Sequence, residues 1–264
     1  LRFEQRAGAT VLRRRQEGGS LRVRVPRRLD AGVTEAVVIN TSGGMCGGDT
    51  IVQDVTWGQG TSAVLTTQAS EKVYGSLGPA CTIATHLDVG AGARAEWLPQ
   101  ETILFDGAHM RRDTCIDLAE DAVLLWSESI VFGRLARGES VERGALRDRV
   151  RIRRGGRLVH ADVTALGGED ARPGPATQLA RAALGDGARG CAVLLGSGGD
   201  LPLSRDAVRR ELERHPEVLA GATALNGLLS VRLLARDPAA MRVALAAVLG
   251  VLRPGDELPR VWRC

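Results

Sequence analysis

Aromatic residues are scarce in this 264-residue chain, making up 3% of it, so Leu, Val and Ala must fill the core. Lysine is almost absent, and the basic charge is carried by Arg. No run of about 18 apolar residues exists, which excludes a helical membrane span. No secretory leader is expected, since the opening residues lack the pattern of one. The first residue is Leu1 rather than Met, so the chain is expected to begin inside a longer one. The five cysteines, Cys46, Cys81, Cys115, Cys191 and Cys264, are odd in number and scattered. That suits reduced thiols in a cytoplasm and argues against a disulfide framework. No C-x-x-C or H-x-x-x-H pair offers a preformed metal site among His86, His109, His160 and His215. No G-x-x-x-x-G-K, G-x-S-x-G or kinase set is visible.

What is present is an ordinary globular composition, 44% hydrophobic and 25% charged. The net charge of +4 is mild, with both signs interspersed. Arg13 to Arg15 and the arginines between Arg22 and Arg28 form a local basic stretch. Without interleaved aromatics to stack bases, it reads as a solvated strand surface rather than a nucleic-acid patch.

Up to about residue 165 the chain reads as short strands punctuated by Gly turns. Leu21 to Val25, Val33 to Asn40 and Ala63 to Thr67 are strand candidates. An approximate repeat runs through residues 55–68, 87–100 and 116–129, each strand, tight turn, strand. The offsets are 32 and 29 residues. Units of that length stack so that neighbours share one core. The expected fold is therefore mainly β, a β-solenoid-like or β-helix-like stack. An acidic residue, Glu71, Glu101 or Glu128, falls just after or at the end of each copy. Stacking in register would gather these carboxylates on one side.

The part from 166 to 264 changes character, yet is expected to pack as one continuous domain with residues 1–165. Residues 167–189 are Gly/Pro-rich and read as a junction. Cys191 to Leu195 is a buried-type strand, and Gly196 to Asp200 a turn. Ser204 is a candidate cap for a helix running to about His215. Leu228 to Ala235 is a strand. Asp237 caps a second helix with Pro238 at its first position, ending near Pro254. This gives a small βαβα portion with two helices.

Three segments invite chemistry. Residues 40–49, Asn-Thr-Ser-Gly-Gly-Met-Cys-Gly-Gly-Asp, are glycine-rich but lack the Lys of a phosphate loop, so the glycines serve positive φ or close packing. Asp49 either holds a local turn or lines a polar channel. In residues 66–74 the lone Lys72 is either a desolvated amine or, more simply, an ion-pair partner of Glu71. Cys46, His86 and Cys115 are candidate transient ligands, though each has a simpler reading as a packed residue.

Several segments together resemble the urease accessory protein D family, called H in some organisms. These are Thr-Ser-Gly-Gly-Met-Cys-Gly-Gly-Asp49, Thr-Thr-Gln-Ala-Ser-Glu-Lys-Val-Tyr74, Trp-Leu-Pro-Gln-Glu101, Gly133-Arg134 with Gly138-Glu139, and Leu-Pro-Arg-Val-Trp262. The resemblance implies a non-enzymatic cytoplasmic factor that binds apo-urease and accessory protein F, and through F the GTPase accessory protein G. It implies a β-rich fold with two helices and a polar tunnel conducting nickel. Nickel is then transient cargo, with no tightly bound cofactor, no nucleic-acid partner and no membrane. Carried over by motif, Asp49, Ser70, Glu71, Glu128 and Asp162 would line the conduit, supported by Lys72, Tyr74 and Glu101. Cys46 and Cys115 depart from the apolar residues expected there. The competing reading is a β-rich metal-dependent hydrolase using Asp49, Glu128 and Asp162.

Overall fold

The structure is a computed structural model that describes residues 1–26, 33–168 and 173–263. The strands are β1 (Arg2–Arg6), β2 (Ala9–Arg14), β3 (Leu21–Arg24), β4 (Thr34–Asn40), β5 (Thr50–Trp57), β6 (Ser62–Thr67), β7 (Glu71–Val73), β8 (Cys81–Val89), β9 (Arg94–Leu98), β10 (Thr102–Leu104), β11 (His109–Leu118), β12 (Val123–Phe132), β13 (Ala145–Arg154), β14 (Arg157–Gly167), β15 (Gly190–Gly196), β16 (Val218–Leu225) and β17 (Leu228–Ala235). The helices are α1 (Pro175–Leu179), α2 (Leu201–Leu212) and α3 (Pro238–Leu252).

Among the described residues the strands form two sheets, one seven-stranded in the order β14-β13-β11-β8-β5-β1-β2 and one ten-stranded. The repeat is the reason. β5, β8 and β11 stack in parallel in the first sheet, and β6, β9 and β12 stack in parallel in the second. Val55 lies opposite Leu87 and Leu87 opposite Ile116, while Leu65 aligns with Trp97 and Trp97 with Trp126. The offsets of 32 and 29 residues read in the sequence are thus the register of the ladders. Each tight turn, at Gly58–Thr61, Gly90–Ala93 and Ala119–Ala122, carries the chain from one sheet to the other.

The rungs differ beyond the turn. β7, β10 and the end of β12 form a further parallel ladder, with Glu71 opposite Thr102 and Thr102 opposite Ile130. Between the aligned positions lie residues 66–70, 98–101 and 127–129, hence five, four and three residues. The first two rungs break there, and the third runs through as one straight strand. Pro99 cannot donate to a ladder, which favours a break at that point.

Apolar side chains fill the space between the sheets on both sides of these breaks. One cluster contains Trp57, Leu87, Trp97, Ile116 and Trp126, and another contains Met45, Val73, Met110, Phe132 and Leu146. A third lies between the ten-stranded sheet and the helices. α3 contributes Met241, Ala244, Leu245, Val248 and Leu249 to it, the i, i+3, i+4, i+7 stripe of a half-buried helix.

The C-terminal part matches expectation with three corrections. β15, β17 and α3 lie where the sequence placed them, and the Asp237 side chain accepts from the Ala239 amide at 2.9 Å. The cap of α2 is Asp200, which accepts from the Leu203 amide, rather than Ser204. The helix starts four residues earlier because Pro202 is tolerated in a first turn. β16 went unread because its inward residues are small, Ala220 and Ala222. Helix α1 occupies part of the expected junction, of which residues 169–172 lie outside the description. β12 pairs antiparallel with β15, so the ten-stranded sheet runs across the point where the composition changes.

Candidate functional site

A polar belt crosses the sandwich between the two apolar clusters, at the level of the rung breaks. From the seven-stranded sheet it takes the inward row Gln53, Thr85 and Thr114, which are ladder neighbours, and Arg112 beside Asp148. From the ten-stranded sheet it takes Glu71 and Glu128. Two cavities lie along it. The larger, about 160 Å³, is lined by Asn40, Gln53, Ser70, Glu71, Lys72, Gln100, Thr102, Arg112 and Glu128, among others. The smaller, about 20 Å³, is lined by Glu128, Asp148, Asp162, Thr164, Cys191 and Trp126, among others. Glu128 borders both.

Glu128 sits in the middle of the tightest link, on the face of β12 that otherwise carries Leu124, Trp126, Ile130 and Phe132. A carboxylate buried among those groups requires partners. Its Oε1 accepts from the Trp97 indole N–H at 2.9 Å, and its Oε2 accepts from Arg112 Nη1 at 2.5 Å. Arg112 is itself 4% exposed and grips Asp148 with both Nε and Nη2, at 2.9 and 2.6 Å. Burial pushes the Glu128 carboxyl up against the pull of Arg112, and the two carboxylates hold the Arg112 guanidinium charged despite its burial.

Glu71 faces the larger cavity. Both its oxygens accept from the Asn40 side-chain amide, at 3.1 and 3.0 Å, which joins the glycine-rich motif to the next one. Burial raises its carboxyl above the usual range, with Asn40 opposing. Asp162 lies across the smaller cavity on β14, where it accepts from Arg232 at 2.6 Å.

The other sequence candidates fall elsewhere. Asp49 is exposed and accepts from the Cys46 amide at 2.7 Å, the local-turn alternative. Glu101 points to the helix side, where it accepts from the Ser70 hydroxyl at 2.7 Å and pairs with Arg242 at 2.9 Å. Of the three repeat-end carboxylates, then, Glu71 and Glu128 share a cavity and Glu101 turns away. Lys72 lines the larger cavity; no ion pair within 4 Å joins it to Glu71, though its charge opposes the burial that raises the Glu71 carboxyl. Tyr74 donates to the Gly43 carbonyl at 3.0 Å. Gly44, with φ +154°, lets that loop reach β7, since a Cβ there would lie 2.6 Å from the Tyr74 ring. Cys46 is exposed, and His86 and Cys115 are cross-strand neighbours on the outer face of the first sheet, where His86 meets Asp117 at 3.0 Å. None of the three borders the interior cavities. Arg22 and Arg24 donate to backbone carbonyls, while Arg27, Arg28 and Cys264 lie outside the described residues.

Sequence reasoning missed Arg112 and Asp148. The signal was a charged residue on an inward strand parity: Arg112 between Met110 and Thr114, Asp148 between Leu146 and Val150. Reading it required knowing that both strands alternate.

The Trp-Leu-Pro-Gln-Glu101 and Leu-Pro-Arg-Val-Trp262 segments meet in space. The Trp262 indole donates to the Leu98 carbonyl at 3.1 Å, and the Gln100 amide donates to the Val261 carbonyl at 3.1 Å. Among the described residues no group of three His, Cys, Asp or Glu is placed to hold a metal ion. No helix among them is long and apolar enough to cross a membrane.

Residues 1–263 match the model of the UreD urease accessory protein family. The chain is 44% identical over 260 residues to the urease accessory protein UreD of Methylobacterium sp. (strain 4-46), spanning 97% of this chain and 90% of that protein. It is 46% identical over 252 residues to urease accessory protein UreD 3 of Methylorubrum extorquens (strain PA1), spanning 94% and 81%. It is 42% identical over 255 residues to that of Rhizobium leguminosarum bv. viciae, spanning 97% and 90%. The chain belongs to this family, whose members are accessory proteins of urease rather than enzymes.

Proposed function

We propose that this urease accessory protein serves nickel insertion into apo-urease in the cytoplasm, as a scaffold and conduit. It joins apo-urease to accessory protein F, and through F to the GTPase accessory protein G. Ni²⁺ is cargo and passes along the belt from Glu71, by Glu128, to Asp162. The observation carrying this reading is a buried polar belt between two apolar clusters, with cavities on both sides of one carboxylate. A divalent ion crosses protein at tolerable cost only where oxygen ligands replace its water. Carboxylates and amides suit that task, and ligands spread along a path release the ion as readily as they take it. The hydrolase reading is disfavoured, because Asp49 holds an exposed turn and lines neither of the cavities that Glu128 borders.

The test is urease activation with Ni²⁺ and GTP in a complex reconstituted from this chain, accessory proteins F and G and apo-urease. Glu128→Gln and Asp162→Asn should assemble normally and lower activation, by about tenfold for the first. Normal activation by both variants would rule out the conduit. Failure of the wild-type chain to form the complex would rule out the scaffold.

A further inference from the structure

At Glu128, which borders both cavities, the belt has a cation of its own. Arg112 borders the larger cavity, Asp148 borders the smaller, and Glu128 borders both. The guanidinium bridges the two carboxylates at 2.5 and 2.6 Å. It also donates to the Thr102 hydroxyl at 3.3 Å. A positive charge so placed stands in the path between the cavities and occupies the oxygens that a passing cation would use.

We propose that Arg112 is the stopper of this passage: in the free chain it holds Glu128 and Asp148 together, offsets one of their two charges and keeps a divalent cation from moving between the cavities, and the ion advances only when the guanidinium swings away. This rests on the conduit reading above. The physical ground is competition. One guanidinium between two carboxylates cancels half of their charge and engages oxygens of both, so an incoming cation meets a weaker attraction and a competitor already in place. Arg keeps its charge at every accessible pH, so the stopper responds to displacement and not to protonation. The larger cavity beside it gives the side chain somewhere to go.

Titration of the free chain with Ni²⁺, followed by heat, tests this. Wild type should bind weakly, and Arg112→Gln at least tenfold more tightly. The Arg112→Gln/Glu128→Gln double variant should return to wild-type affinity, which separates the belt from surface histidines. Arg112→Lys keeps an amine but loses the two-armed grip, and its affinity should fall between wild type and Arg112→Gln. Because Arg112→Gln leaves the buried Glu128 carboxylate facing the half-buried Asp148, its fold is checked by circular dichroism. If it does not fold, Arg112→Gln/Asp148→Asn, which removes one charge of each sign, should show the gain instead. A folded variant without that gain overturns the stopper. If Glu128→Gln still impairs urease activation in that case, the conduit stands and only the stopper falls. If Glu128→Gln activates normally, the conduit itself has failed.

Discussion

Two buried arginine–carboxylate clusters, built from the same chemistry, sit on opposite faces of the ten-stranded sheet. On the inner face Arg112 bridges Glu128 and Asp148, with cavities on either side. On the outer face Glu96, fully buried, pairs with Arg253 at 2.6 Å and Arg94 at 3.0 Å. Arg253 also donates to the Glu257 carbonyl at 2.6 Å, which ties the segment after α3 to β9. Neither residue of the Glu96–Arg253 pair lines either belt cavity. The second cluster is closed on itself and fixes where the C-terminal segment docks. The first leaves room for its members to move. The same ion pair is a rivet when sealed and a movable part when it borders open space.

The comparison breaks most visibly in stability. Glu96→Ala would leave the buried Arg253 guanidinium without its carboxylate, so urea unfolding should report a loss of about 3–5 kcal/mol. Urease activation should then fall only as far as folded protein is lost. Glu128→Gln should do the reverse, since Gln still accepts from Trp97 and Arg112 keeps Asp148. A stability loss of about 1–2 kcal/mol with a tenfold fall in activation is expected. Equal behaviour of the two variants would erase the distinction. A milder probe of the sealed side is Asp237→Ala, which removes the cap of α3. It should cost about 1 kcal/mol and leave activation per folded molecule unchanged.

The smallest effect is electrostatic and belongs to the belt. Glu71 has its carboxyl raised by burial, so the folded chain holds a proton that the unfolded chain, with a carboxyl pKa of about 4.3, has already released. Its ionisation therefore costs stability as pH rises from the unfolded value through the raised folded one. Glu71→Gln should be indistinguishable from wild type in acid and relatively more stable at neutral pH. Melting temperatures between pH 4 and 8 that run parallel for both proteins would show that burial does not govern this carboxylate.

Much of the scaffold was legible because local rules decide it. The repeat offsets became ladder register, since a strand–turn–strand unit of fixed length can stack in one way only. Asp237-Pro238 became a helix start because capping involves neighbours alone. Of the site, Glu71 and Glu128 were visible as acidic residues at the repeat ends. Their facing the same cavity, and Glu101 turning to Arg242, depended on breaks of five, four and three residues, which shift side-chain parity from rung to rung. The α2 cap was misplaced by a proline tolerated in the first turn, and β16 was hidden by alanines.

By itself, then, the sequence determined the stack, its register, the two longer helices and the family, all of which follow from periodicity, capping and motif. Only the tertiary structure decided that Arg112 from one strand lies between Asp148 of its ladder neighbour and Glu128 of the facing sheet. Each is an unremarkable charged residue in its own strand. The pairing exists because two sheets pack face to face, and burial then forces opposite charges 16 and 36 residues apart to find one another.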